Sequence, residues 1–288
     1  LDGTLFPYTT LFRSDDDDTV DDDDDTPGPY AGMTPTGKAV GEILSIASHL
    51  STGAAYDRER EFEIQQEVAA GIANVRRGFY WNSIEPENDV WTFDGYDVMV
   101  GLLRDAGLKP LAMCTRAVSW AAPGGSPSEV DPAHFADFTG TVAARYAADL
   151  DLYEIWNEPN TERFWNGGPD PEHYGLLLEA AYGAIHENDP TAEVMFGGMS
   201  PLDVEHLLDP RGVWNFLARV GEEHPDLCDF IDGVAIHPYT FLQQPGPELS
   251  LDILGLYRYP DLRTTIDDVR GMLEELGCRD KAIHLTEM

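Results

Sequence analysis

DLYEIWNEPN, residues 151–160, is the stretch on which the fold turns. It opens as a short apolar run and gathers its polar residues at the C-terminal end, and Asp170 and Pro171 then begin a helical pattern. A run too short for a helix, closed by polar residues and followed by an N-cap signal, reads as buried strand, loop, helix. The unit recurs. Apolar runs at 43–50, 72–81, 108–114, 151–156, 193–199, 231–236 and 281–286 alternate with helical spacing at 57–70, 94–106, 131–148, 171–188, 202–221 and 260–276. Asp57, Asp131 and Asp170 stand where N-caps belong, Pro132 and Pro171 in the first turn, and Gly107 and Gly277 where helices end.

Strand–helix alternation implies parallel strands covered by helices. The unit averages about 40 residues, ordinary for a (β/α)8 barrel with long functional loops. A doubly wound open sheet usually carries a Gly-rich phosphate loop after its first strand, and none follows residue 50. The expected fold class is therefore α/β, a TIM (β/α)8 barrel over residues 40–288. It is incomplete, with about seven strands and the eighth β/α unit missing. Met113, Met195 and Met199 fall in strands and are expected in the core.

The composition narrows the function. There are 53 acidic against 18 basic residues, a formal net charge of −35. Residues 1–26 hold ten Asp and one Arg, and the remainder still carries 43 acidic against 17 basic side chains. Such a surface repels polyanions, which excludes nucleic acid and acidic membranes as expected partners and leaves a neutral ligand such as a sugar. An ordinary acidic protein and one adapted to salt fit this charge equally. No run reaches the roughly 18 apolar residues of a membrane span. Cys114, Cys228 and Cys278 lack CxxC spacing, so no zinc site is expected. Buried free thiols are the expectation, with a Cys228–Cys278 disulfide between neighbouring strands as the alternative.

Residues 4–14 (TLFPYTTLFRS) resemble the conceptual translation of a short-read sequencing adaptor, so residues 1–14 are set aside from the fold. Residues 15–39 hold two Asp runs and Pro/Gly-rich sequence, and read as a disordered linker. An EF-hand is not indicated, because its Gly and terminal Glu are absent. A linker of this kind points to a secreted or cell-surface protein, and the native start is expected to lie elsewhere.

In a barrel of this kind, functional groups lie at the C-terminal ends of the strands. Those positions hold Arg76 and Trp81, Asn157 and Glu158, His237 and Tyr239, and finally Glu287. Two carboxylates on strands 4 and 7 face each other across the mouth, an arrangement that can flank a scissile glycosidic bond. Arg76, with Arg77 as its competitor, and Tyr239 are candidates to donate to Glu287 and keep it ionised. Trp81, Trp120 and Trp165 are candidate sugar-stacking platforms, with rim packing as the alternative. His49 ends strand 1 and is a candidate to touch substrate, with a satisfied rim residue as the alternative.

Trp156-Asn157-Glu158-Pro159-Asn160, followed about 130 residues later by Thr286-Glu287, resembles the clan A glycoside hydrolases. The flavour is that of the family 39 β-xylosidase-like and family 5 cellulase-like members, over residues 40–288. The resemblance implies Glu158 as acid/base, Glu287 as nucleophile and Asn157 on the sugar 2-hydroxyl. It places Arg76 beside the nucleophile, and His237 and Tyr239 as lining of the site. It implies retention of configuration on a β-linked glycoside or polysaccharide, with no metal and no organic cofactor. The departure is the missing strand 8, which commonly brings an aromatic floor. A transglycosylase on the same pair and a non-catalytic carbohydrate-binding barrel are the rivals. A metal-dependent amidohydrolase is disfavoured, since strand 1 lacks His-x-His.

Overall fold

Short, nearly continuous apolar runs become parallel strands buried on both faces. The computed structural model describes residues 45–47, 57–201, 214–239, 251–253, 257–259 and 262–287. The adaptor-like segment, the acidic linker, His49 and the Asp57 side chain lie outside the described residues. In chain order come β1 (Ser45–Ala47), α1 (Asp57–Ala69), β2 (Asn74–Tyr80), the single turn α2 (Trp81–Ile84) and α3 (Asp94–Asp105). Next are β3 (Lys109–Thr115), α4 (Pro132–Tyr146), β4 (Leu152–Asn157), α5 (Pro171–Asn188) and β5 (Glu193–Met199). The remainder holds α6 (Asn215–Glu223), β6 (Gly233–Ile236), a hairpin of β7 (Leu251–Ile253) and β8 (Tyr257–Tyr259), α7 (Leu262–Glu275) and β9 (Ala282–Leu285).

Seven strands form one parallel sheet in the order β1-β2-β3-β4-β5-β6-β9. Every strand lies beside its successor, the winding of a barrel; a doubly wound sheet would reverse direction partway. Among the described residues no ladder joins β1 to β9, so the fold is an incomplete TIM barrel of seven strands. None of the described helices is long and apolar enough to cross a membrane.

The cap signals act as chemistry requires. Asp131 accepts from the Ala133 amide at 2.9 Å and Asp170 from the His173 amide at 3.0 Å, each cap stabilising its helix by about 1 kcal/mol. Gly107 and Gly277 take φ of 76° and 83° just past α3 and α7, a conformation that costs glycine little.

Two different interiors result. Outside the sheet, Phe79, Trp81, Phe135, Phe138, Trp156, Trp165, Tyr174 and Phe196 fill the layer beneath the helices, all fully or almost fully buried. Inside the ring the apolar floor is small: Leu111, Met195 and Ala235, with Leu152 against them. Met113, Met195 and Met199 are all buried.

Of the helix expected over 202–221, the described part is α6 from Asn215, and 202–213 lie outside the described residues. Two sequence expectations change. The β7–β8 hairpin had no counterpart in the sequence reading. Cys228 and Cys278 form a disulfide, with Cα atoms 5.2 Å apart, and Cys114 is the buried free thiol. The parallel β6–β9 pairing brings the segments that precede both strands together, and that is what puts the two thiols in reach.

Candidate active site

Alternation along β2 separates two adjacent arginines. Arg76 points into the ring and Arg77 into the sheet–helix layer, where its Nε donates to the Met99 sulfur at 3.2 Å. Burial pushes Arg77 down to about 10 against the pull of Glu63 and Glu67. Arg76, only 5% exposed, is the hub of the site.

Glu154 grips that guanidinium with both carboxylate oxygens, accepting from Nε at 2.8 Å and from Nη2 at 2.6 Å. The fork is thereby oriented so that Nη1 donates to Glu287 at 2.5 Å and Nη2 to Asn157 Oδ1 at 2.8 Å. Burial alone would lower the Arg76 pKa; Glu154 and Glu287 more than reverse this and leave it raised. Glu154 is fully buried, yet its carboxyl stays below the usual range, because Arg76 and the Gly198 amide outweigh desolvation. The sequence reading missed Glu154. The signal was available: a Glu between Tyr153 and Ile155 in a strand buried on both faces needs a cationic partner.

Glu158 follows β4, with its amide donating to the Gly198 carbonyl at 2.9 Å. Its carboxyl accepts from His237 Nδ1 at 3.0 Å and from the Tyr239 hydroxyl at 3.1 Å. His237 Nε2 lies 3.4 Å from Arg76 Nη2, a group that can only donate. We therefore assign the imidazole proton to Nδ1, facing Glu158. The Tyr239 hydroxyl has a single proton to share, and its shorter contact is to Glu287. Burial raises the Tyr239 pKa first, and the two carboxylates raise it further, so it remains a donor. Glu287 feels the opposite balance: partial burial pushes its pKa up, but His237, Tyr239 and Arg76 hold it below the usual carboxylate value.

The backbone beneath Glu158 is held in unusual conformations. Trp156 has φ 71° and Glu158 φ 45°, left-handed values that cost non-glycine residues about 1–3 kcal/mol each. Opposite them β5 carries one extra residue relative to β6, between Phe196 and Met199. Glycine at 198 is a steric requirement: a Cβ there would come within 2.1 Å of His237 Nε2 and 2.8 Å of Glu154. Asn160 braces the same corner, donating to the Ser200 carbonyl at 2.6 Å and accepting from the Ser200 amide at 3.0 Å.

The structure thus brings Arg76, Asn157, Glu158, His237, Tyr239 and Glu287 together. Trp81 and Trp165 are a correction. Trp81 is fully buried, stacked on Phe138 and edged by Trp120 and Phe135, with its indole N–H donating to Glu85. Trp165 is equally buried between Trp156 and Tyr174. Neither has a free face for a sugar, because both rings fill the sheet–helix layer. Trp120 is half-buried, its N–H donating to the Glu85 carbonyl and its ring meeting His134.

Among the described residues, two groupings have ligand atoms close enough for one cation: Glu158, His237 and Glu287, and separately Glu85, Asp89 and Asp137. In the first, Arg76 and Tyr239 already donate to the carboxylates. In the second, Glu85 accepts from Trp81 and from the Asp89 amide.

No protein-family model matches the chain, and no curated protein matches it. Solved structures do. A family 39 glycoside hydrolase from the gut symbiont Bacteroides cellulosilyticus WH2 aligns with TM-score 0.55 at 22% identity, over 72% of this chain and 41% of its own. A glucosidase from Croceicoccus marinus aligns with TM-score 0.55 at 15% identity, over 85% of this chain and 50% of its own. A GH10 endoxylanase retrieved from sugarcane soil metagenome aligns with TM-score 0.54 at 16% identity, over 85% and 66%. The chain therefore shares the barrel fold of these glycoside hydrolases and spans less than two thirds of the length of each.

Proposed function

We propose that the site is that of a retaining glycoside hydrolase acting on a β-linked glycoside or polysaccharide, with Glu158 as acid/base and Glu287 as nucleophile. The observation that carries the reading is the separation of the pair: Glu158 and Glu287 offer carboxyl oxygens within 4.8 Å of one another. Retaining enzymes place their carboxyls about 5–5.5 Å apart, whereas inverting ones need roughly 6.5–9.5 Å to admit a water. The asymmetry of partners supports the division of roles. Glu287 receives the guanidinium and phenol donors suited to an ionised nucleophile, and its carboxyl is held below the usual range.

In the first step Glu158 gives its proton to the glycosidic oxygen as that oxygen leaves, and a Glu287 oxygen forms a bond to the anomeric carbon. In the second, Glu158 takes a proton from water, the water oxygen bonds to the anomeric carbon, and the ester to Glu287 breaks. Asn157 suits the sugar 2-hydroxyl. Its Oδ1 is committed to Arg76, so its amide N–H groups are the ones oriented to donate. His237 and Tyr239 line the site beside both carboxylates.

The decisive test is a panel of aryl β-glycosides, with the anomer of the first product read by NMR. A matching 2-deoxy-2-fluoro glycoside should label Glu287 covalently. Initial release of the inverted anomer, or label on any other residue, would sink the assignment. The Cys228–Cys278 disulfide supports an oxidising compartment, consistent with export. The charge of −35 supports a neutral carbohydrate over a polyanion as partner.

A further inference from the structure

We propose that the hydroxyl of Tyr174, on α5, is a positioning group for Glu158: it is a wedge in the β4–β5 ladder that fixes the turned backbone carrying the acid/base. The inference rests on Glu158 being the acid/base. In a regular parallel ladder the Ile155–Phe196 pair would send the Gly197 amide directly to the Ile155 carbonyl. Here the phenol stands between them. The Gly197 N–H donates to the Tyr174 oxygen at 2.7 Å, and the Tyr174 O–H donates to the Ile155 carbonyl at 3.0 Å.

The departures from regular strand follow directly after this relay. Trp156, the next residue, takes φ 71°, the ladder resumes only at Asn157–Gly198, and Glu158 takes φ 45°. The Gly197 Cα is turned so far toward β4 that a Cβ would meet the Ile155 carbonyl at 2.2 Å. The relay is fully buried, so no bulk water competes for either backbone group. The ring is held independently of the hydroxyl, against Phe196 at 4.9 Å, Phe216 at 5.6 Å and Trp165 at 5.9 Å. Tyr174→Phe therefore keeps the packing and removes only the relay.

Without the relay, the Gly197 amide and the Ile155 carbonyl close on each other, Trp156 loses its left-handed turn, and Glu158 shifts. Displacement of a proton donor by about 1 Å costs up to about 100-fold in rate. The loss falls only where the donor is needed. For Y174F, kcat/KM on an alkyl glycoside should drop about 10- to 100-fold. On a 2,4-dinitrophenyl glycoside, whose leaving group needs no protonation, kcat/KM should stay within about twofold. A general loss of folded protein would lower both equally, and that result would overturn the proposal. A crystal structure of Y174F supplies the second measurement. Direct Gly197–Ile155 pairing with Trp156 at negative φ supports the wedge, and an unchanged Trp156 and Glu158 refutes it. If the parent hydrolyses no glycoside, the glycosidase reading fails, while this structural comparison still decides whether Tyr174 sets the Glu158 backbone.

Discussion

Glu158 and Glu287 sit within a few ångströms of each other on two unequal seats. Glu158 follows β4, which is paired on both sides, and it is 5% exposed. Its amide bonds the β5 backbone directly, and the Asn160 and Tyr174 side chains clamp the surrounding main chain. Glu287 follows β9, whose described pairing is to β6 alone; its side chain is 27% exposed, and neighbouring Leu285 is 36% exposed. What fixes it is side-chain chemistry, namely Arg76 and Tyr239, with the Cys228–Cys278 link at the far end of its strand. Both carboxyls have side-chain partners, but the backbone that carries Glu158 is clamped as well.

Four experiments break or sharpen that contrast. The disulfide closes a span of 50 residues, which the chain-entropy model values at about 4 kcal/mol. Cys228→Ser with Cys278→Ser should lower urea stability by that order and speed amide exchange in β9 more than in β4; equal acceleration would remove the distinction between the seats. Glu154→Gln comes next, because it strips one of the two carboxylates from buried Arg76. Breaking a buried ion pair costs about 3–5 kcal/mol, and the remaining Glu287 contact puts this change near 3. A cost below about 1 kcal/mol would show that Glu287 neutralises Arg76 alone.

Asn160→Ala removes two buried hydrogen bonds to Ser200, worth about 2 kcal/mol together, and should loosen only the Glu158 side. Amide exchange at Ser200 and in β9 reads this directly. The smallest effect is on pH. Since Glu287 is depressed, the acid limb of kcat/KM should fall below the carboxylate reference of 4.5. Tyr239→Phe removes a donor to the charged form, so the pKa rises and activity is lost at higher pH, by less than about one unit. The same sign applies to stability: the contribution of Glu287 is present above the unfolded carboxylate range and fades as pH falls through its native value.

The barrel was legible because β2 to β5 are apolar runs bounded by caps and glycines that mean the same thing in any context. That Arg76, Glu158, His237, Tyr239 and Glu287 would meet was legible because all stand at or just past the C-terminal ends of strands. Glu154 was not read, although its seat among Tyr153, Ile155 and Trp156 marked it as a buried charge in need of a partner. The disulfide was harder. Two cysteines fifty residues apart obey no spacing rule, and only the β6–β9 pairing brings them together. Trp81 and Trp165 misled for a related reason. Apolar residues beside a strand end serve the mouth or the helix layer according to which way the chain turns, and α2 turns Trp81 outward.

Gly197 and Gly198 carry a consequence for anyone altering this protein. Neither offers a functional group, yet the smallest possible addition at either position collides with a carbonyl oxygen or with an imidazole. In a saturation library these two codons would rank with those of the carboxylates as intolerant, and a reader scoring only reactive side chains would take them for noise. They also offer a chemically silent off-switch. Gly198→Ala would leave every acid, base and donor in place and still disable the site, giving a control in which the chemistry is present and the geometry alone is withdrawn.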